Sequence, residues 1–321
     1  MRLGIVGATG LTGKTLLDIL AHAPESVDLV YLTASETSVD QHISFRKQDL
    51  KISATSMDSL KESVDLVFFA TSTDLSLQWI PLVKERARWI IDLSSAYRMN
   101  AEVPLLVPGI NEHELNQNEG LIANPNCSTI QLLRALHPIH QAYTIKKIVV
   151  ATYQSVSGMG QGGLDRMQKE EEGLLFPSEI PLHRNVIPWI GPRTKDELCD
   201  EEQKMIEESR KIFSYSSLEV YPTTVRVPVA ISHGEAVYVE TAQEMQASEV
   251  IDRWKQTPDL RYTEDFTCPI DSSGSNMVWL SRLRLPSPRV MQFWCTADNL
   301  RVGSAWNAYR IMKVLNDRGL I

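Results

Sequence analysis

Cys127 lies in the segment Ala123-Asn124-Pro125-Asn126-Cys127-Ser128-Thr129-Ile130-Gln131. The turn-forming Asn-Pro-Asn ends where helical spacing begins, at Ile130, Leu132, Leu133 and Leu136. A thiol in that place meets the unsatisfied N–H groups and the positive dipole end of a helix, and both favour an anion. The thiolate is the nucleophilic form of cysteine. The same donors would hold the oxyanion formed when a carbonyl carbon is attacked. The alternative is a small buried apolar residue, the commoner role of cysteine. A nucleophilic cysteine needs a base or an orienting partner. His233 follows an apolar β run and precedes Gly234-Glu235, which places it at a strand end; a structural or surface histidine is the alternative. Arg226 sits in apolar β sequence near the far end of that same strand or bend. A guanidinium there is costly unless it meets a carboxylate or phosphate, and an interface ion pair would also satisfy it.

A second chemical feature opens the chain. Residues 3–6 form a short apolar run, as in a buried parallel strand. Gly7-Ala8-Thr9-Gly10-Leu11-Thr12-Gly13 follows, and a helical pattern starts at Lys14 with Leu16, Leu17, Ile19 and Leu20 on one side. Strand, glycine turn and helix are the context of a dinucleotide site, where the backbone approaches the pyrophosphate and the helix N-terminus takes its charge. The spacing is GxxGxxG, and tight strand–helix packing is the alternative. After a second strand at 27–33, Glu36 would accept from ribose hydroxyls and repel a 2′-phosphate. An exposed loop charge is equally open.

The elements that must position these groups form two sets. Strands at 64–70 and 88–93, alternating with helical segments, predict a Rossmann-type doubly wound parallel sheet. Ligands would gather at its strand ends: the turn after Val6, Thr71 to Thr73, and Asp92 to Arg98. Beyond Cys127 the texture changes to β runs at 145–155, 223–240, 276–285 and 290–297. Their alternation predicts an α+β catalytic and dimerisation domain with a mostly antiparallel sheet. Residues 194–212 read as a charged helix, and 301–315 as a helix returning to the first domain. The expected division is 1–126 with 303–321 for the dinucleotide, and 127–302 for catalysis and dimerisation.

Bulk properties limit the classes. The chain has 321 residues, 43% hydrophobic and 22% charged, with a formal net charge of −8. That balance offers no electrostatic footprint for nucleic acid or an anionic membrane. The four cysteines form no CxxC pair, which fits reduced thiols in the cytoplasm better than a disulfide frame, and gives no expected metal site. No cleavable leader and no apolar run of membrane-spanning length is read.

Taken in order along the chain, the motifs resemble the aspartate-β-semialdehyde dehydrogenase family. Asn124 to Gln131 carries the strongest likeness. Thr152-Tyr153-Gln154-Ser155-Val156-Ser157-Gly158, Arg226-Val227-Pro228-Val229 with His233 and Glu235, and Asp298-Asn299-Leu300-Arg301 follow. Gly7 to Gly13, Ser94-Ser95-Ala96-Tyr97-Arg98-Met99 and Asn185-Val186-Ile187-Pro188 also fit. The related N-acetyl-γ-glutamyl-phosphate reductases usually show Asn-Pro-Gly-Cys-Tyr, which is absent.

The resemblance implies a nicotinamide-dependent oxidoreductase acting on β-aspartyl phosphate, in lysine, threonine, methionine and diaminopimelate biosynthesis, as a homodimer or homotetramer. It implies Cys127 as nucleophile, His233 as general acid/base and Gln154 as the orienting amide. It implies Arg226 on the substrate carboxylate, Glu201 on its ammonium, Lys204 with Arg98 at the phosphate, and Asn126 beside the substrate. Glu201 and Lys204 share one helix face at i and i+3, and a plain exposed ion pair is the reading without the resemblance. The implied cofactor contacts are Gly7, Thr9, Gly10, Leu11, Thr12, Gly13, Ser35, Glu36, Thr37, Ser38 and Thr71, with Ser157, Gly158 and Asn299. The sequence departs from the family where an arginine usually reads the 2′-phosphate of NADP: Thr37 stands there, with Asp40 and Gln41 after it. NAD use is therefore expected beside NADP. Thr71-Ser72-Thr73 replaces glycines found in many relatives. Reduction of another acyl phosphate is the alternative activity, and a non-catalytic Rossmann paralogue the alternative class.

Overall fold

The structure, a computed structural model, describes residues 1–115, 120–174, 176–177 and 179–321. These divide into two compact units, 1–125 with 304–321 and 126–303.

In the first unit, β1 (Arg2–Val6) is followed by α1 (Leu11–His22), β2 (Asp28–Ala34), a hairpin of β3 (His42–Phe45) and β4 (Gln48–Lys51), and β5 (Ser53–Ala54). Then come β6 (Val64–Phe69), α2 (Thr73–Val83), β7 (Ala87–Asp92) and β8 (Leu121–Ala123). The main sheet has the order β5-β2-β1-β6-β7-β8, and every pairing in it is parallel. Helical crossovers cover such a sheet on both faces, so its strands read as apolar runs rather than alternating ones. Leu3, Ile5, Leu66, Phe68 and Ile91 form its core with Leu16 and Leu20 of α1. The C-terminal α8 (Trp306–Asp317) adds Ile311, Met312 and Leu315 to that core.

In the second unit, α3 (Cys127–Tyr143) leads into β9 (Ile145–Gln154), α4 (Gln161–Glu171), α5 (Asp200–Ile212), β10 (Glu219–Arg226) and β11 (His233–Thr241). The rest is α6 (Ala247–Gln256), β12 (Leu260–Tyr262), α7 (Pro269–Ser272), β13 (Val278–Ser287) and β14 (Val290–Ala297). The sheet order is β10-β9-β11-β14-β13-β12. The β10–β9 and β12–β13 pairings are parallel and the other three antiparallel, so the sheet is mixed.

Three expected elements take a different form. The single β run at 223–240 is two strands, because Pro228 has no N–H to donate and Ser232 adopts φ +76°. The helix read from 194 starts at Asp200: Glu197 has φ +61°, and the Cys199 N–H is capped by Glu202 Oε2 at 3.0 Å. The C-terminal helix opens with a π-helical segment, Arg301–Ala305.

Candidate active site

The break between β10 and β11 assembles the site. Arg226 ends β10 opposite Gln154, the last residue of β9. Since β11 runs antiparallel to β9, its first residue His233 lies at the same sheet end, with Gly234 opposite Tyr153. All three side chains are buried.

Cys127 is the first residue of α3, and Asn126 is its N-cap. The Asn126 Oδ1 accepts from the Ser128 N–H at 3.0 Å and the Thr129 N–H at 3.3 Å. Such a cap contributes about 1 kcal/mol to the helix and fixes where its first turn begins. Gly303 packs against that turn: a Cβ there would lie 2.5 Å from the Cys127 Cβ, so any larger residue would displace the thiol.

The Cys127 Sγ lies 3.3 Å from His233 Nε2. On the other side of the ring, the Ser155 N–H donates to Nδ1 at 3.0 Å. The network therefore assigns the proton of the neutral ring to Nε2, facing the sulfur. Burial, and secondarily the charge of Arg226, push His233 from its ordinary 6.5 down to about 3, so the resting ring is neutral. Ser155 is held in turn, its hydroxyl donating to Asn299 Oδ1 at 3.1 Å. That oxygen also accepts from the Ser157 hydroxyl (3.1 Å) and the Ser232 N–H (2.9 Å).

Glu201 Oε1 accepts from Asn126 Nδ2 at 2.9 Å and from Gln154 Nε2 at 3.0 Å. Gln154 Nε2 also donates to the Ser128 hydroxyl at 2.6 Å. The Arg226 Nη1 donates to the Ser155 carbonyl at 2.6 Å. Burial pulls this guanidinium below its ordinary value, and the charges of Glu201 and Cys127 act against that pull. Sulfur, imidazole, amide, carboxylate and guanidinium thus converge within one unit. A thiol beside an imidazole, with a buried guanidinium near, suits acyl transfer through sulfur.

The first unit carries a cavity of about 350 Å³ lined by Gly7, Thr9, Gly10, Ser35, Glu36 and Thr71, with Gln78 and Trp79 of α2. Gly7 has φ +89°, and a Cβ on it would meet the Ala70 carbonyl oxygen at 2.2 Å. A Cβ on Gly13 would meet the Gly7 carbonyl oxygen at 2.2 Å. These two glycines make the tight turn, and it leaves the backbone open for a pyrophosphate. The residues fit a dinucleotide.

A model of the semialdehyde dehydrogenase NAD-binding domain matches residues 2–118, and one of the semialdehyde dehydrogenase dimerisation domain matches 136–302. An aspartate-semialdehyde dehydrogenase of Synechocystis sp. is 36% identical over 99% of this chain and 98% of its own length. The crystal structure of aspartate semialdehyde dehydrogenase II from Vibrio cholerae superposes with a TM-score of 0.92, at 35% identity and 98% coverage of both chains. The same enzyme complexed with ASA gives 0.90, at 34% identity and 98% coverage of both chains. The chain belongs to the aspartate-semialdehyde dehydrogenase family.

Within this family member, the residues singled out in the sequence are distributed unevenly. Cys127, His233, Gln154, Asn126, Glu201 and Arg226 are brought together. Lys204 pairs with Asp200 on its own helix, while Glu201 turns inward, so the two do not act as one exposed pair. Arg98 is buried in the first unit, its Nε donating to the Asn124 carbonyl at 2.9 Å and Nη2 to the Leu93 carbonyl at 3.3 Å. Leu11, Thr12 and Gly13 form the first turn of α1. Thr37 is exposed, and Ser38 accepts from the Thr9 hydroxyl at 3.3 Å. Ser157 and Gly158 lie in the second unit, where a Cβ on Gly158 would come 3.0 Å from the Arg226 Nη1. Three partners went unseen in the sequence: Ser128, the Ser155 backbone and Glu208. Glu208 alone left a signal, lying seven residues after Glu201 on the same helix face.

Proposed function

We propose that the chain converts β-aspartyl phosphate to aspartate β-semialdehyde through a thioester on Cys127, and that it runs the reverse reaction with phosphate. The Cys127–His233 contact at 3.3 Å carries this reading. In the biosynthetic direction the sulfur attacks the acyl carbon. The carbon–oxygen bond to phosphate breaks, and phosphate leaves with the electron pair. A nicotinamide in the first-unit cavity would supply the hydride. The thiohemiacetal formed on Cys127 then breaks its carbon–sulfur bond, which releases the aldehyde and restores the thiolate.

His233 is the general acid/base, worth about 10²–10⁴-fold in rate, and proton movement passes through Nε2, the nitrogen turned to the sulfur. Gln154 orients the acyl group with an amide that takes no proton. Arg226 grips the substrate carboxylate, Glu201 and Asn126 meet its amino end, and Arg98 and Lys204 serve the phosphate. Contacts from Leu11, Thr12, Gly13, Thr37, Ser38, Ser157, Gly158 and Asn299 complete the cofactor reading. The two sequence segments, 1–126 with 303–321 and 127–302, divide cofactor binding from catalysis. The matched dimerisation domain supports a homodimer or homotetramer, and four free cysteines are consistent with the cytoplasmic place we propose. The pathway would be that of lysine, threonine, methionine and diaminopimelate.

Cofactor choice follows from the rim. Residues 35–41 hold Glu36 and Asp40 and no cation. A 2′-phosphate there would face acid, whereas a ribose 2′-hydroxyl could donate to Glu36. NAD is therefore used beside NADP. Phosphate-dependent oxidation of aspartate semialdehyde, measured with each cofactor, tests substrate, chemistry and cofactor together. Turnover with NAD is expected. A kcat/KM for NADP far above that for NAD would remove the cofactor reading, and absence of turnover with both would remove the enzyme. Reduction of N-acetyl-γ-glutamyl phosphate in preference to β-aspartyl phosphate would move the substrate.

A further inference from the structure

We infer that Glu208 is a positioning residue for the nucleophile, an inference that rests on Cys127 being the attacking group. In a capping box, the N-cap side chain bonds the third residue's N–H, and that residue's side chain returns to the N-cap backbone N–H. Helix α3 has only the first half of that arrangement. Asn126 Oδ1 serves Ser128 and Thr129, but the third helical residue is Thr129, with no carboxylate to return. The Asn126 N–H donates instead to Glu208 Oε2, at 2.6 Å, from α5. A second helix completes the box.

Helix α5 is built for this. Its buried residues are Glu201, Glu202, Met205, Glu208, Ser209 and Ile212, so three of its inward positions are acids. Glu201 clamps the Asn126 side-chain amide while Glu208 clamps its backbone. Glu202 fixes the helix laterally, accepting the Thr224 N–H of β10 at 3.1 Å. Asn126 is thereby held at its N–H, Oδ1 and Nδ2, and the next residue is the nucleophile. A carboxylate that is 1% exposed is expensive to bury. A neutral acceptor could hold the same N–H, so the charge itself has a consequence.

The charged and titratable groups around the first turn of α3 are His233 from β11, 3.3 Å from the Cys127 Sγ, Arg226 from β10, which is coupled to the Cys127 charge, and Glu201 and Glu208 from α5, which both bond the neighbouring Asn126. The helix end and Arg226 favour the thiolate, while the two acids oppose it. Nucleophilicity falls as a thiol becomes more acidic, so an attacking thiol works best when its pKa is near ambient pH. Glu208 fixes the turn and restrains the acidity that the turn creates.

The test is iodoacetamide alkylation of Cys127 against pH in the full-length protein, with loss of turnover followed in parallel. Parallel loss in the unmodified chain establishes the nucleophile independently of Glu208. Glu208→Gln keeps an acceptor for the Asn126 N–H and removes the charge. Its alkylation midpoint is expected to fall by about one pH unit, with KM for the semialdehyde little changed. Glu208→Ala removes both, and kcat should fall by about 10²-fold through misplacement of the sulfur, with Glu208→Gln recovering most of that loss. If Glu208→Ala fails to fold, the glutamine variant decides alone. A Glu208→Gln midpoint equal to the parent's would overturn the inference, whatever the melting temperature does.

Discussion

The sulfur site and the dinucleotide cavity both present polar side chains, but the protein holds them in opposite ways. At the sulfur site, His233, Gln154 and Asn299 are buried in a shared hydrogen-bond network, in which one Asn299 oxygen takes three donors. At the cavity rim, Ser35, Glu36 and Thr37 are exposed, and their hydroxyls bond mainly to one another, as Ser35 to Thr37 at 2.9 Å. A buried network has few alternative arrangements, so a change in one member leaves another unsatisfied. An exposed rim can change residue by residue, because water replaces whatever is lost. Catalysis should therefore be brittle in this chain, and cofactor choice adjustable.

Cys127→Ser should produce the largest loss. Hydroxyl for thiol in an unchanged frame should lower phosphate-dependent turnover on the order of 10⁴-fold or more. Retention of a tenth of the parent rate would break the contrast at once. His233→Asn should cost about 10²–10⁴-fold in kcat without altering cofactor affinity, as measured by fluorescence titration. Arg226→Lys keeps the charge but loses the planar fork, and should lower kcat/KM for the semialdehyde by about 10-fold, chiefly through KM. At the rim the effect should be smaller and of opposite sign. Thr37→Arg should raise the NADP-to-NAD ratio of kcat/KM about tenfold, as expected for one added phosphate contact, with the alkylation rate of Cys127 untouched.

The smallest effect concerns stability. Glu235, two residues beyond His233 on the same strand face, is fully buried beside Cys295, whose Sγ lies 3.4 Å from Oε2. Burial pushes its carboxyl up to about 8 from 4.5. Between those values the folded chain holds a proton that the unfolded chain has released, so stability falls as pH rises from 4.5 through 8. His233 acts in the other direction: between about 3 and 6.5 the unfolded chain holds the extra proton, so stability falls as pH is lowered. Glu235→Gln should flatten the decline of the melting temperature between pH 4.5 and about 8, by about 2–4 °C per kcal/mol relieved in a domain of this size. Scanning calorimetry from pH 5 to 9 would show whether the two slopes coincide.

The parallel sheet, the glycine turn and the helix starting at Cys127 were legible because periodicity and turn chemistry are local. Glu201 and Glu208 illustrate what was not. A charged residue on a helix reads as solvated face, and only the fold shows that α5 turns these two acids towards another helix's cap. Lys204 shows the converse, since its pairing with Asp200 is a local i,i+4 contact within one helix. The β run at 223–240 was read straight through Pro228, so the break there and its consequence were both missed: two strand ends meet at one end of the sheet only once β9 lies between them. Ser155 acts on His233 through a backbone N–H, which no side-chain identity discloses.

The most direct measurement is mass spectrometry of the protein mixed with aspartate semialdehyde and oxidised cofactor in the absence of phosphate. An aspartyl thioester should accumulate on the peptide containing Cys127 and disappear when phosphate is added. An adduct on another residue, or none while the cofactor is reduced, would contradict covalent catalysis through this sulfur.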